Sequence, residues 1–171
     1  MEPKREKILS LENISGDIKT IHTKKNEYQA RTIILAFGAE HRKLDIPGED
    51  DLGGLGVSYC ATCDGAFYKD RTAVVVGGGN AAAEDAVFLS GLCKKVYLVH
   101  RRDELRADKA IQEKVFDCEN IEMVWESIPL EILGQDEVTG IKIQNVKTGE
   151  ERELDTDGVL LQWELFRIRH L

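Results

Sequence analysis

The apolar and polar positions divide the chain into two regions with different predicted elements. Residues 17–36 contain a strand, a polar turn at Lys24-Lys25-Asn26 and a returning strand over Thr32–Ala36, which together predict a β-hairpin. An acidic stretch from Leu44 to Asp51, with a Pro-Gly pair inside it, follows the hairpin. Such a stretch is typical of a linker, so we place a domain boundary near residue 46.

Beyond the linker the pattern changes to strand, glycine turn, helix and strand. Thr72–Val76 and Lys95–Val99 are predicted strands, and the segment from Asn80 to Ser90 between them is a predicted helix. Asn80 suits the N-cap of this helix, and Gly91 suits its C-cap. The segment therefore predicts a βαβ unit, which implies a pair of parallel strands.

The rest of the chain is predicted to add one helix and a group of antiparallel strands. The second helix is predicted over residues 103–119, where apolar side chains recur at helical spacing: Leu105, Ala107, Ile111, Val115 and Cys118. Residues 121–160 predict an antiparallel meander with turns at 134–136 and 147–149. The predicted fold class is α/β: a Rossmann-like βαβ dinucleotide-binding domain with an antiparallel β-meander, preceded by a partial β-hairpin.

Composition and charge exclude several classes of protein. The chain has 171 residues, 42% of them hydrophobic, which allows one full globular domain and part of another. Its formal net charge of −8 argues against diffuse binding to nucleic acid or to anionic lipid. No apolar run approaches the roughly 18 residues that a membrane helix requires, and the N-terminus contains no signal region. We therefore expect a cytoplasmic protein without nucleic-acid or membrane partners and without a bound metal.

The glycine turn after the first βαβ strand predicts a dinucleotide-binding site. The segment reads Gly77-Gly78-Gly79-Asn80-Ala81-Ala82, and it follows a β-branched strand and opens a helix, as the dinucleotide fingerprint requires. Gly77 permits the tight turn, Gly79 permits close approach of a pyrophosphate, and Ala82 permits close helix packing. The helix N-terminus would supply oriented N–H groups to the phosphates. The alternative is a turn that only packs a strand against a helix.

Basic residues at the end of the second βαβ strand favour NADP over NAD. An NAD site places Asp or Glu about 20 residues beyond the glycine turn, but this chain has His100, Arg101 and Arg102 there, followed by Arg106. Guanidinium groups pair bidentately with phosphate oxygens, which suits the 2′-phosphate of NADP. The alternative is a solvated charge cluster in which Asp103, Glu104 and Asp108 pair with the arginines. His100 alone is weak evidence, since a histidine at a strand end is more often structural.

A Cys-x-x-Cys motif precedes the βαβ unit. Cys60 and Cys63 are close enough in sequence to form a reversible disulfide, and Asp64 directly follows them as a candidate proton relay. Cys93 and Cys118 lie in helix-like segments. Half of a zinc site and an inert buried pair are the alternatives, although the chain contains no second Cys-x-x-Cys and no His-x-x-x-His.

Three motifs together resemble a known family. They are Gly56-Val57-Ser58-Tyr59-Cys60-Ala61-Thr62-Cys63-Asp64-Gly65, Val74-Val75-Val76-Gly77-Gly78-Gly79-Asn80 and His100-Arg101-Arg102-x-x-x-Arg106-Ala107. In this order and spacing they resemble the NADPH domain of bacterial-type thioredoxin reductase over residues 17–159. The resemblance implies that NADPH reduces FAD, that FAD reduces the Cys60–Cys63 disulfide, and that the dithiol reduces thioredoxin. It also implies that Asp64 is the acid/base, that the arginines hold the 2′-phosphate, and that the glycine turn holds the pyrophosphate. The resemblance leaves open whether the chain forms a homodimer.

The chain departs from the family pattern at several places. The family's Gly-x-Gly-x-x-Gly for FAD and its later Gly-Asp segment are absent, Phe37 stands where Thr is usual, and Ala81 replaces a usual Ser or Thr. We therefore expect residues 1–46 to be a remnant of an FAD-binding domain, 47–159 the NADPH-binding domain, and 160–171 an atypical tail. This chain alone is expected not to retain FAD and to be inactive as a reductase. The alternatives are an isolated NADP(H)-binding module or the flavoprotein partner of a peroxidase, which usually has Pro-His between its cysteines.

Overall fold

The chain folds into two compact units. A computed structural model describes residues 3–36, 40–41, 43–162 and 165–166. The described parts of Met1–Glu40 and Leu165–Leu171 form the smaller unit, and those of His41–Glu164 form the larger one. The described residues do not include Phe37, Gly38 or the segment from residue 167 onward. The sequence expectations that rest on these positions therefore lie outside the described residues.

In the smaller unit, residues 3–36 contain a three-stranded antiparallel sheet. Its strands are β1 (Ile8–Glu12), β2 (Lys19–Thr23) and β3 (Glu27–Ala30), in the order β1-β2-β3. The predicted polar turn is confirmed, because the N–H of Thr23 donates to the carbonyl of Asn26 over 2.9 Å. The predicted returning strand over 32–36 is wrong. The tight turn lets Glu27 pair with His22 at once, so the returning strand starts five residues earlier than predicted.

The larger unit contains a parallel sheet and an antiparallel sheet. After the two-residue β4 (Glu40–His41), its strands are β5 (Val57–Ser58), β6 (Thr72–Val76), β7 (Lys95–Val99), β8 (Ile121–Val124), β9 (Ser127–Gly134), β10 (Val138–Asn145), β11 (Glu151–Asp155) and β12 (Gly158–Leu161). A further short strand, Leu165–Phe166, belongs to the smaller unit. The parallel sheet has the order β5-β12-β6-β7-β8, and the antiparallel sheet has the order β11-β10-β9. The βαβ unit is therefore confirmed. The predicted meander over 121–160 is only partly right, because its first and last strands pair in parallel with β7 and β6.

Three helices belong to the larger unit: α1 (Ala61–Asp64), α2 (Asn80–Ser90) and α3 (Lys109–Asp117), with a 3₁₀ turn at Gly65–Tyr68. The bounds of α2 and its C-cap Gly91 are as predicted, but its N-cap is Gly79 rather than Asn80. The prediction of a helix over 103–119 is wrong at its start. The N–H of Arg106 donates to the carbonyl of Gly78 over 2.7 Å, which holds this segment as a loop against the glycine turn.

The parallel sheet lies between two layers. Ala73 and Val75 face the cluster of α2 and α3, whereas Val74 and Val76 face the antiparallel sheet, as the alternation of side chains along a strand requires. Both faces are apolar because both are covered, which is usual for parallel sheets. Because β6 and β7 are parallel neighbours, their carboxyl ends lie at one edge of the sheet. That edge carries the glycine turn and the arginine segment.

Candidate functional site

Cys60 and Cys63 form a disulfide at the start of α1. The S–S distance is 2.02 Å, Cys60 is the N-cap, and its Sγ accepts from the N–H of Cys63 over 3.2 Å. Cys63 is exposed and Cys60 is partly buried. Cys63 is thus accessible to a partner in thiol–disulfide exchange, whereas the Cys60 sulfur is hydrogen-bonded to the first turn of α1.

Ser58 joins the cysteine pair to Asp64. Its buried hydroxyl donates to Asp64 Oδ2 over 2.6 Å and accepts from the N–H of Cys60 over 3.0 Å. Asp64 therefore lies in a fixed orientation on the same turn as the disulfide. Ser58 was not singled out from the sequence. Its position two residues before Cys60 is nevertheless a local signal, because a serine hydroxyl can bond to the backbone two residues later in an ST turn.

A side-chain bridge connects the disulfide turn to α2. Gln162 Nε2 donates to Asp85 Oδ2 over 2.5 Å and to the carbonyl of Tyr59 over 3.1 Å. Both amide hydrogens of Gln162 are used, so the peptide that leads into Cys60 is held against the helix. Burial raises the pKa of Asp85, and the hydrogen bond from Gln162 opposes this rise. The bridged residues are 77 and 103 positions apart, so no local pattern could have predicted the bridge.

The buried carboxylate of Glu49 holds the other side of Tyr59. Glu49 is 3% exposed and accepts from the N–H groups of Leu44 and Asp45 and from the Tyr59 hydroxyl over 2.7 Å. Burial, followed by the Glu49 carboxylate, raises the pKa of Tyr59. The acidic stretch that the sequence predicts to be a linker thus contributes a fully bonded core carboxylate.

Each glycine of the turn meets different surroundings. Gly77 has a φ of +153°, and an added Cβ there would lie 2.6 Å from Ala82 Cβ. A Cβ on Gly78 would lie 2.2 Å from His100 Cε1, whereas one on Gly79 would meet nothing within 4 Å. The turn is therefore packed tightly against neighbouring side chains at Gly77 and Gly78. It borders open space at Gly79, which lies at the N-terminus of α2.

His100 lies beneath the glycine turn and inside a cationic cluster. Only 3% of His100 is exposed, and its Nε2 has no hydrogen-bond partner among the described residues. Burial lowers the pKa of His100, and the charges of Arg106, Arg102 and Arg101 lower it further. The structure thus brings His100 and all three arginines together, with the arginine residues themselves exposed.

Two of the acidic residues considered as partners for the arginines have other contacts. Asp108 bonds with Asn80 over 2.9 Å, and Asp103 Oδ2 lies 4.0 Å from Lys147 Nζ. The candidate site residues therefore fall into two groups, the disulfide turn and the glycine–arginine edge. Both groups contact α2, the first through Asp85 and the second through the first turn of the helix.

The remaining cysteines, Cys93 and Cys118, are free thiols. Cys93 is buried, and burial raises the pKa of its thiol to about 11. Cys118 is partly buried and accepts from the Ser90 hydroxyl over 3.3 Å. Within the described ranges no group of three His, Cys, Asp or Glu side chains could hold a metal ion, and no helix is long and apolar enough to cross a membrane.

We predict that only Cys60 and Cys63 form a disulfide in the purified chain. Mild oxidation followed by denaturation, alkylation and peptide mass mapping should show this pair oxidised, with Cys93 and Cys118 alkylated. Burial raises the pKa of the Cys93 thiol, so it forms little of the reactive thiolate during the oxidation. Dithiothreitol should reverse the disulfide, and Cys60→Ser should leave Cys63 free to be alkylated. A disulfide that includes Cys93 or Cys118 would contradict the prediction.

We predict that acid destabilises the larger unit through His100. Its pKa in the folded chain lies below the ordinary 6.5, so the unfolded chain binds more protons as the pH falls through that value. The free energy of unfolding should then fall by at most about 1.4 kcal/mol per pH unit from this group. Denaturant titrations between about pH 7 and about pH 5 should show a flatter profile for His100→Phe than for His22→Phe. Identical profiles for the two variants would refute the assignment.

A family model described as pyridine nucleotide-disulphide oxidoreductase matches residues 3–163. The chain is 47% identical to the thioredoxin reductase of Streptomyces coelicolor over 150 residues, which are 87% of this chain and 47% of that protein. It is 45% identical to the thioredoxin reductase of Bacillus subtilis over 146 residues, 85% of this chain and 46% of that protein. The chain therefore spans about half the length of these curated relatives.

Solved structures agree with the sequence comparison. Thioredoxin reductase from Giardia duodenalis superposes with a TM-score of 0.83 at 36% identity, covering 94% of this chain and 52% of that one. Lactococcus lactis thioredoxin reductase in its FR conformation gives a TM-score of 0.77 at 42% identity, covering 94% of this chain and 53% of that one. The predicted α/β fold and the predicted resemblance to bacterial-type thioredoxin reductase are both confirmed. With this fold, this disulfide and these matches, the chain belongs to the pyridine nucleotide-disulphide oxidoreductase family.

Proposed function

We propose that this chain is the NADP(H)-binding, disulfide-bearing part of a thioredoxin-disulfide reductase. One observation carries the proposal: a single compact unit holds a Cys-x-x-Cys disulfide and an arginine-flanked glycine turn, both in contact with α2. Relatives named thioredoxin reductase support it. The proposed electron path runs from NADPH through FAD to the Cys60–Cys63 disulfide and then to thioredoxin.

The residues at the glycine–arginine edge fit a dinucleotide. Gly79 leaves open space beside the N-terminus of α2, where N–H groups and the helix dipole favour a pyrophosphate. The buried His100 Nε2 without a partner is a polar atom that lies beside this turn. Arg101, Arg102 and Arg106 would hold the 2′-phosphate by charge-assisted hydrogen bonds.

A flavin, when bound, supplies the relay that passes the electrons of a hydride from a nicotinamide to a disulfide. The described residues before β6 form the antiparallel sheet β1-β2-β3, the short strands β4 and β5, and α1 with its 3₁₀ turn. They contain no second strand–glycine turn–helix unit, so no flavin-holding residue is assigned in this chain. At the disulfide, reduction adds two electrons and two protons and gives the Cys60 and Cys63 thiols. We assign the holding or release of one of these protons to Asp64, whose carboxylate accepts from the Ser58 hydroxyl on the same turn.

The surface beside the disulfide suits a protein disulfide as substrate. Phe67 is 75% exposed and lines a cleft of about 360 Å³ together with Leu55, Asp64 and Arg71. Exposed aromatic side chains next to a cleft are typical of protein–protein contacts. Thioredoxin, whose own disulfide would accept the two electrons, is the partner that the relatives' names suggest.

We predict that the chain binds NADP⁺ more tightly than NAD⁺. Each charge-assisted hydrogen bond from an arginine to the 2′-phosphate contributes roughly 1.5–3 kcal/mol, so even one contact gives about tenfold discrimination. Calorimetric titration should show this preference in the unaltered chain and its loss in Arg101→Ala/Arg102→Ala.

Arg71→Ala/Lys94→Ala is the matched control for this titration. It removes the same charge at the opposite edge of the sheet, before β6 and β7, and should leave the preference unchanged. Equal affinities for the two nucleotides in the unaltered chain would refute the role of the arginines.

We predict that the reduced chain transfers its electrons directly to oxidised thioredoxin. The chain is reduced with dithiothreitol and freed of reagent, and alkylation at timed intervals follows the loss of both thiols at Cys60 and Cys63. Phe67→Ala should slow the transfer to thioredoxin about 10-fold by removing an exposed contact, while leaving oxidation by a small-molecule disulfide unchanged.

Phe116→Ala on α3 removes a comparably exposed ring and should leave both rates unchanged. Transfer that persists in Cys60→Ser/Cys63→Ser, or no transfer from the unaltered chain, would overturn the proposed function. Equal slowing by both phenylalanine variants would place the docking surface elsewhere.

A further inference from the structure

We propose that Asn80 and Asp108 are positioning residues that set the discrimination between NADP(H) and NAD(H), an inference that rests on the proposed nucleotide site. Neither side chain is proposed to touch the 2′-phosphate. Their task is to fix the segment that carries the arginines at a set distance from the glycine turn.

The two residues make a reciprocal pair. Asn80 Nδ2 donates to Asp108 Oδ2 over 2.9 Å, and the N–H of Asp108 donates to Asn80 Oδ1 over 2.8 Å. Asn80 is the first residue of α2, and Asp108 is the N-cap of α3. The pair therefore joins the N-termini of two helices across 28 positions of sequence.

Both helices lack the side-chain cap that such residues usually supply. Asp108 stands at an N-cap position but makes no cap hydrogen bond, and Gly79 has no side chain to cap α2. Asp and Asn are preferred at N-caps because their oxygens accept from the first N–H groups of a helix. Here the oxygens are turned to the neighbouring helix, and the geometry points to a task other than capping.

That task is to hold the arginine segment against the glycine turn. At its start the segment is fixed by the N–H of His100, which donates to the carbonyl of Val124 over 2.9 Å. In its middle Arg106 donates its N–H to the carbonyl of Gly78 over 2.7 Å, and at its end stands the Asn80–Asp108 pair. Gln112 Nε2 also donates to the carbonyl of Ala107 over 2.7 Å.

This arrangement explains how the pair affects one nucleotide and not the other. NADP(H) would bind the glycine turn and the arginines at once, so its affinity depends on the distance between them. NAD(H) lacks the 2′-phosphate and would depend on the glycine turn alone. Loosening the segment should therefore weaken the binding of NADP(H) and leave the binding of NAD(H) unchanged. Only NADP(H) makes the charged contact whose preorganisation is lost.

The test compares both nucleotides by calorimetric titration in four variants of the 171-residue chain. Asn80→Ala and Asp108→Ala should each weaken NADP⁺ about 10-fold and NAD⁺ less than about 3-fold, the size of one lost charge-assisted contact. The exchanged pair Asn80→Asp/Asp108→Asn keeps the net charge and can form both hydrogen bonds, with donor and acceptor exchanged in the bond between the two side chains. It should therefore restore the ratio of the two affinities. Asn120→Ala is the control, since Asn120 bonds to the carbonyls of Ser90 and Cys93 at the other end of α2.

A second measurement needs no nucleotide. Amide hydrogen exchange of residues 101–107 should be faster in Asn80→Ala than in the unaltered chain and in the exchanged pair, while β6 and β7 stay protected. If the unaltered chain binds neither nucleotide or does not discriminate, the proposed function fails, and the exchange rates still decide the positioning. An unchanged affinity ratio in Asn80→Ala beside a discriminating parent, or unchanged exchange, would overturn the inference.

Discussion

The close approach of α2 to the parallel sheet is the constraint on which both candidate sites depend. The inner face of the helix is built from Ala82, Ala83 and Ala86, all essentially inaccessible to solvent, so its backbone lies near β6 and β7. Gly65 continues the contact on the other side, because a Cβ there would lie 2.9 Å from Phe88 Cε1. Small side chains thus let one helix touch a nucleotide-type turn at its start and a disulfide turn along its length. A larger residue at any of these positions would move α2 away from its neighbours and so separate the two turns.

The glycine–arginine edge carries positive charge, although the net charge of the whole chain is negative. The net charge is −8, yet three arginines surround a buried histidine at the carboxyl end of β7. A local cationic cluster on an acidic protein attracts anions at that edge, while the surrounding negative charge opposes the approach of polyanions. His100 is kept neutral there by burial and by its neighbours, so the positive charge of the edge comes from groups that stay charged at every physiological pH.

The local parts of the fold could be predicted from sequence, and the parts that depend on distant partners could not. The bounds of β6, α2 and β7 follow from β-branched runs, glycine positions and helical periodicity within some thirty residues. The start of α3 was missed because residues 103–108 have a helical pattern, but the carbonyl of Gly78 captures the N–H of Arg106. The cysteine pair was evident from spacing, whereas Asp85 and Gln162 carry no motif. Their role exists only after β12 has paired with β6.

The three glycines of the turn have different steric surroundings. Residues 77 and 78 are confined by the protein itself, since any side chain would collide with Ala82 or with the ring of His100. Residue 79 has a φ of −91°, which any amino acid adopts, and a side chain there would enter empty space. Folding therefore leaves position 79 free to vary. A side chain at position 79 would affect only a molecule that occupies that space, so a substitution there separates the demands of binding from those of stability.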